Sequence, residues 1–329
     1  MDKLKVGIVG TGHLGNLHAK MFKSISNCEL VGVFDINLIH SKSVESEFGV
    51  KAFEDLDELL MNVDAVSIAV TTTAHYEVAK RSLEKNKHIF IEKPITATIA
   101  EAEELVKISS EKKLNLQVGH IERFNPALIS LEKYIIDPVF IQTDRLAQFD
   151  VRGTEVAVVL DLMIHDIDII LSLVKSNVKK VEASGVAVVS DNLDIANARI
   201  QFENGAVANV TASRISQKKM RKMRLFQRDT YIALDFITGT SEVYRLLPVD
   251  ESPGTGTISF GEIGVGEKKK RLIYEQPEIK EVNALQYELE LFVNSVLDNK
   301  PPIVSGNDGL RALIVANEII KKIDESRIV

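Results

Sequence analysis

The chain has 329 residues, of which 45% are hydrophobic and 26% charged, which excludes the polar, highly charged composition of a disordered chain and gives room for two cores. Forty lysines and arginines against 47 aspartates and glutamates leave a formal charge of -7, which argues against broad binding to nucleic acid or an anionic membrane. The single cysteine, Cys28, excludes an intramolecular disulfide and a thiolate metal site; with no signal-peptide pattern in MDKLKVGIVG and no apolar run of transmembrane length, a cytoplasmic chain is expected.

From the N-terminus, short apolar runs (LKVGIVG, ELVGVFD, DAVSIAV, KHIFIEK, LNLQVGH) alternate with amphipathic segments such as HLGNLHAKMFKSI, HYEVAKRSLEKN and TIAEAEELVKISSEKK. Continuous aliphatic strands joined by helical crossovers predict an α/β domain with a doubly wound parallel sheet, a Rossmann domain, over residues 1–120. At its first strand-to-helix turn stands Gly10-Thr11-Gly12-His13-Leu14-Gly15, a G-x-G-x-x-G. Gly10 suits the tight turn, Gly12 a close approach of backbone to pyrophosphate and Gly15 the packing of helix on strand, so the loop, with Thr11, His13 and Leu14, is expected to hold a dinucleotide. The next strand ends at Asp35, twenty positions after Gly15, where a carboxylate accepts hydrogen bonds from ribose and repels a 2′-phosphate. NAD is therefore expected in preference to NADP.

Glu92-Lys93-Pro94 follows a predicted buried strand at the carboxyl end, where open α/β sheets bind ligands. Proline restricts Lys93, whose ammonium there suits stabilisation of a substrate oxygen; a surface loop is the alternative reading.

Residues 121–329 follow a different pattern. In LDLMIHDIDI, Leu160 to Ile169, helical spacing of about 100° per residue puts Asp161, His165, Asp168 and Ser172 on one stripe of an otherwise apolar helix. Either the pair Asp161 and His165 is satisfied inside a packed helix, or a carboxylate poises an imidazole for proton transfer. The runs VKKVEASGVAVVS, LDIANARIQFE, AVANVTASRI, KMRLFQ and TYIALDF then predict an antiparallel meander, ESPGTGTISFGEIGVG an exposed loop, and the C-terminus two helices parted by Pro301 and Pro302. The basic run Arg214 to Arg228 is expected on a solvated edge hairpin, with no nucleic acid, and Met220 and Met223 as packing residues. The seven histidines contain no H-x-x-x-H pair, so no metal is expected.

The glycine loop, EKP, GHIERFNPA and the D-x-x-x-H helix, in this order, resemble the GFO/IDH/MocA family of NAD(P)-dependent sugar dehydrogenases over essentially the whole chain. The resemblance implies a Rossmann domain followed by an α/β domain with a large, mostly antiparallel open sheet that forms a subunit interface, hence a homodimer or homotetramer. It implies that Lys93 contacts the reacting hydroxyl, that His165 accepts its proton and Asp161 supports His165, with Asp168 as a further member, and that Thr71, His75 and Glu92 lie at the cofactor. VTTTAHY departs from the family's Thr-Pro-Asn before the histidine, and Thr73 as a helix cap is the alternative there. More narrowly, Gln117 to Ala127 and Asp144 to Asp168 resemble the branch that oxidises C3 of UDP-N-acetylglucosamine, giving a ketone for a pyridoxal-phosphate aminotransferase on the way to lipid A. That implies substrate contacts from Arg123, Asn125, Arg145 and Arg152, arginine being suited to a diphosphate; ion pairing is the alternative for each. A dehydrogenase of free sugars or polyols and a non-catalytic NAD-binding sensor are the competing functions.

Overall fold

The computed structural model describes residues 3–151, 153–254 and 256–326. They fall into two units: one runs through Ile121 and takes back Val282–Ile314, the other comprises Glu122–Glu281 and the chain from Val315 on.

The first unit is built from β1 (Leu4–Val9), α1 (His13–Ser24), β2 (Cys28–Phe34), α2 (Leu38–Phe48), β3 (Lys51–Phe53), α3 (Leu56–Asn62), β4 (Ala65–Ile68), α4 (Thr72–Glu84), β5 (His88–Glu92), α5 (Ile99–Lys112) and β6 (Leu116–Gly119). All strand pairs are parallel, in the order β3-β2-β1-β4-β5-β6. Every residue of β4 and of β6 is buried, which is why these strands read as unbroken apolar runs. The predicted sheet lacked only β3, an edge strand of three residues, too short to leave a pattern. Thr98 and Glu101 close a reciprocal capping box at the start of α5.

The second unit opens with α6 (Pro126–Ile129) and β7 (Phe140–Leu146), then a π-helical turn, Val159–Met163, that runs into α7 (Ile164–Leu173). There follow β8 (Val178–Val186), β9 (Ile195–Phe202), β10 (Val207–Ser213), β11 (Met220–Gln227), β12 (Thr230–Asp235), β13 (Thr240–Pro248), β14 (Ile258–Ile263) and β15 (Lys270–Glu275), in a sheet of order β14-β15-β13-β12-β11-β7-β10-β9-β8. The pairs are antiparallel except β7 with β10. Period-two burial separates its faces: Ile141, Leu225, Ile232, Val243 and Ile273 point into the core. Their neighbours Phe140, Phe226, Tyr231, Tyr244 and Tyr274 stand in a row on the other face, with ring centroids 4.9–5.6 Å apart.

Two expectations about this sheet are corrected. The segment predicted as an exposed loop carries β14, exposed along its whole length, and the basic run is not on an edge. β11 lies between β12 and β7, where Met223 and Leu225 fill the core while Lys222 and Arg224 reach Asp235 and Asp144 on the neighbouring strands.

The chain ends in α8 (Ala284–Leu297) and α9 (Gly306–Ser326). Residues 121–329, expected to form a single domain, do not stay together, because α8 buries its apolar stripe in the first unit. Leu289, Phe292 and Val293 join the cluster of Val6, Ile8, Phe22 and Phe90, and Phe292 meets Phe90 edge-on at 5.8 Å. Among the described residues no helix is long and apolar enough to cross a membrane.

Candidate functional site

In the first unit β1 delivers the chain into the glycine loop. Gly10 has φ +89, and a Cβ there would lie 2.7–2.8 Å from Val70 and the Ala69 backbone; a Cβ at Gly15 would lie 1.8 Å from the Gly10 carbonyl oxygen. Beside Gly12 there is open space, and no side chain caps the N-terminus of α1. Uncapped amides at a helix start, next to backbone with nothing over it, are suited to a pyrophosphate. Gly10, Gly12, His13, Leu14, Asp35 and Thr71 line a cavity of about 410 Å³ together with Ile36, His40 and Val70. These residues fit a dinucleotide: anion-binding amides at one side, a carboxylate for ribose at the end of β2 and apolar walls for the rings.

Thr11 is a correction. Its amide and hydroxyl both donate to Asp35 Oδ2, at 2.6 and 3.0 Å, and it does not line the cavity. Thr11 orients the Asp35 carboxylate, and the Asn37 amide donates to its other oxygen.

Lys93 follows β5, half-buried, in a cis peptide with Pro94. Glu92, expected at the cofactor, turns inward. Its Oε1 lies 3.1 Å from His18 Nε2, and His18 Nδ1 lies 2.7 Å from Ser67 Oγ on β4. Burial alone would raise the Glu92 carboxyl, but the His18 hydrogen bond and the nearby charges of His18 and Lys93 outweigh it and hold the pKa low. His75 is corrected in the same way. It is 1% exposed, with Nδ1 2.9 Å from the Pro94 carbonyl and Nε2 3.2 Å from that of Val70. Burial lowers its pKa against the pull of those carbonyls. Thr71 takes the capping position of α4 without a side-chain cap bond and keeps its place on the cavity wall.

In the second unit Asp161 sits in the π-helical turn and His165 in the first turn of α7, both half-buried. The wider π turn interrupts the stripe counted from sequence. Asp161 rests against Gly153, whose φ is +79 and whose Cβ, if present, would lie 2.7 Å from the carboxylate. Arg214, 3% exposed, holds that segment by donating from Nη1 to the Gly153 carbonyl at 2.5 Å and from Nη2 to Val156 at 2.7 Å. Behind it Asp194 lies 3.8 Å from Arg214 Nε and accepts from the amides of Val188, Val189 and Ser190.

The described residues proposed for substrate binding here are mostly engaged elsewhere. Arg145 is 2% exposed and donates twice to Asp166, at 2.8 and 3.0 Å, and once to Glu122, at 2.8 Å. Arg123 forks onto Asp168 at 2.6 and 2.7 Å, which also takes Asp168 out of the His165 stripe. Asn125 caps α6 through Ala127 N and donates to Glu122 and the Phe236 carbonyl. These hydrogen bonds occupy the guanidinium of Arg145 and engage the guanidinium of Arg123 and the side-chain amide of Asn125, and a group already satisfied by buried partners has little left to offer a ligand. Arg152 lies outside the described residues. Sequence reasoning missed His18 and Arg214. The spacing of His18 inside α1, one turn past Gly15 on the buried side, was the available signal for the first; Arg214 was masked by its membership of a basic run.

Residues 4–120 match the model of an oxidoreductase family with an NAD-binding Rossmann fold, GFO/IDH/MocA, and residues 144–231 match the GFO/IDH/MocA C-terminal domain. The chain is 36% identical to a UDP-N-acetylglucosamine 3-dehydrogenase of Acidithiobacillus ferrooxidans over 97% of both chains. A solved structure of that enzyme superposes with a TM-score of 0.88 at 34% identity, over 99% of each chain. A myo-inositol 2-dehydrogenase of Thermotoga maritima is 25% identical over 98% of this chain and 97% of its own. With the glycine loop, the cavity beside it and the open antiparallel sheet in place, the chain belongs to the GFO/IDH/MocA family of NAD-dependent dehydrogenases.

Proposed function

We propose that the chain oxidises the C3 hydroxyl of UDP-N-acetylglucosamine to the ketone. Whole-chain likeness to the Acidithiobacillus enzyme, with Lys93, Asp161 and His165 all present, carries this reading. NAD, when bound, supplies the hydride acceptor. Lys93 donates a hydrogen bond to the C3 oxygen, and His165 takes the hydroxyl proton as the carbon gives up its hydride, so the alcohol loses two electrons and two hydrogens. Asp161, set by the Gly153 turn, orients His165 and stabilises its cationic form. With Arg123 and Arg145 engaged in ion pairs, diphosphate recognition falls to Arg152.

The engagement of Arg123 and Arg145 favours a second reading, a dehydrogenase of sugars without a diphosphate. In either case the aromatic row gives the open sheet a face for a homo-oligomer, and the single buried Cys28 fits a reducing cytosol. A 3-oxo sugar nucleotide is a substrate for a pyridoxal-phosphate aminotransferase, the amine-forming step towards the diamino sugar of lipid A.

His165→Asn tests the assignment of the base. NAD affinity, read by fluorescence titration, is expected to stay within about twofold, while kcat falls by about two to four orders of magnitude. Unchanged turnover would remove His165 from the mechanism.

A further inference from the structure

We infer that His18 and His75 are positioning residues for Lys93, gripping the chain on both sides of it. The inference rests on the reading of Lys93 as hydrogen-bond donor to the reacting oxygen.

His18, on α1, is fully buried and fixes Glu92, the residue before the lysine. Its ring bridges the Ser67 hydroxyl at 2.7 Å on β4 and the Glu92 carboxylate at 3.1 Å at the end of β5. The same carboxylate lies on Gly119 at the end of β6, where a Cβ would come to 3.0 Å. Glu92 thus meets α1 and β6, with β4 behind the His18 ring. His75, on α4, faces Pro94, the residue after the lysine, with Nδ1 2.9 Å from its carbonyl oxygen; Nε2 lies 3.2 Å from the carbonyl oxygen of Val70, two residues past β4, and the neutral ring that burial favours donates to one of the two.

Both rings are buried and hydrogen-bonded, as buried polar groups generally are, and both direct a ring nitrogen to a residue that flanks Lys93. Neither lines the nucleotide cavity. What the two have in common is the frame of the peptide that carries Lys93. A lysine has four rotatable side-chain bonds, so the reach of its ammonium is defined only as well as its Cα; misplacement by about 1 Å can cost on the order of 100-fold in rate.

The experiment is a double-mutant cycle on the NAD-loaded enzyme, following NADH formation from UDP-N-acetylglucosamine. His18→Leu and His75→Leu are each expected to lower kcat about 10- to 100-fold with NAD affinity within about twofold. His75→Asn, which can still reach the Pro94 carbonyl, should recover most of the loss. In a Lys93→Ala background the same substitutions should cost less than about twofold more, because residues acting through one group are not additive. If a leucine variant fails to fold, the corresponding alanine variant, which also lacks the ring's hydrogen bonds, takes its place in the cycle, and the labelling rate of Lys93 is read on the same variant. Full additivity, with Lys93→Ala itself impaired, overturns the inference and leaves the role of Lys93 standing. Full activity in Lys93→Ala overturns both.

A readout free of the sugar is the rate at which acetic anhydride labels Lys93 in the NAD complex, followed by mass spectrometry. The histidine variants should change that rate several-fold and leave the other lysines unaltered. Identical rates at Lys93 would overturn the inference even where the sugar proves to be the wrong one.

Discussion

Arg145, Asp166 and Glu122 form a buried group in the second unit, with Asn125 and Arg221 also donating to Glu122. Arg145→Met would leave two buried carboxylates without their main partner, and breaking such a group costs about 3–5 kcal/mol. Urea unfolding of the variant should show a loss of that size, with KM for the sugar nucleotide unchanged in whatever folds; a stable variant with a sharply raised KM would return Arg145 to the substrate site. At this scale the sequence disclosed some roles and not others. Gly10, Gly12 and Asp35 were legible because a strand, a turn and a helix place them by local spacing. Arg123 and Arg145 were not, since their partners Asp168 and Asp166 stand 45 and 21 positions away. Thr11, Glu92 and His75 belong to the right motifs, but a motif does not say whether a side chain points to the cleft or beneath it.

The segment from Val188 to Asp194 shows how one carboxylate organises an element. Burial opposes ionisation of Asp194, yet the Ser190 hydroxyl and the amides of Val189, Val188 and Ser190 outweigh it and lower the pKa from 3.8 to about 2. A carboxyl depressed in the folded state adds stability above its ordinary pKa and loses it as the pH falls towards the folded value. The protein should therefore lose part of its stability between about pH 4 and pH 2. Asp194→Asn should be less stable at pH 7 by about 1–2 kcal/mol, allowing for solvent screening, and its stability should vary less across that acid range. Chemical denaturation at a series of pH values measures this, and parallel curves for the two proteins would contradict it. Helix Leu160 to Ile169 was legible as buried and charged, but the π turn was not, because hydrophobic periodicity is too coarse to register one added residue. β14 was hidden by its glycine, its serine and its full exposure.

At the scale of the whole molecule, the parallel sheet could be read from its alternation of strand and helix, each crossover being local in sequence. The return of α8 to the first unit could not. Its apolar stripe announces a buried face without naming the core that receives it, and Phe292 meets Phe90 across some two hundred positions. Together these parts make an NAD-dependent dehydrogenase, proposed to act at C3 of UDP-N-acetylglucosamine. The direct measurement is NADH formation at 340 nm by the purified protein with NAD and UDP-N-acetylglucosamine, beside N-acetylglucosamine and myo-inositol as separate substrates. A pyridoxal-phosphate aminotransferase with glutamate is included in one arm to draw off the ketone. Turnover with the sugar nucleotide, increased by the aminotransferase and absent with the two small sugars, is the predicted result. Turnover with N-acetylglucosamine or inositol and none with the sugar nucleotide, NAD binding being intact, would contradict it.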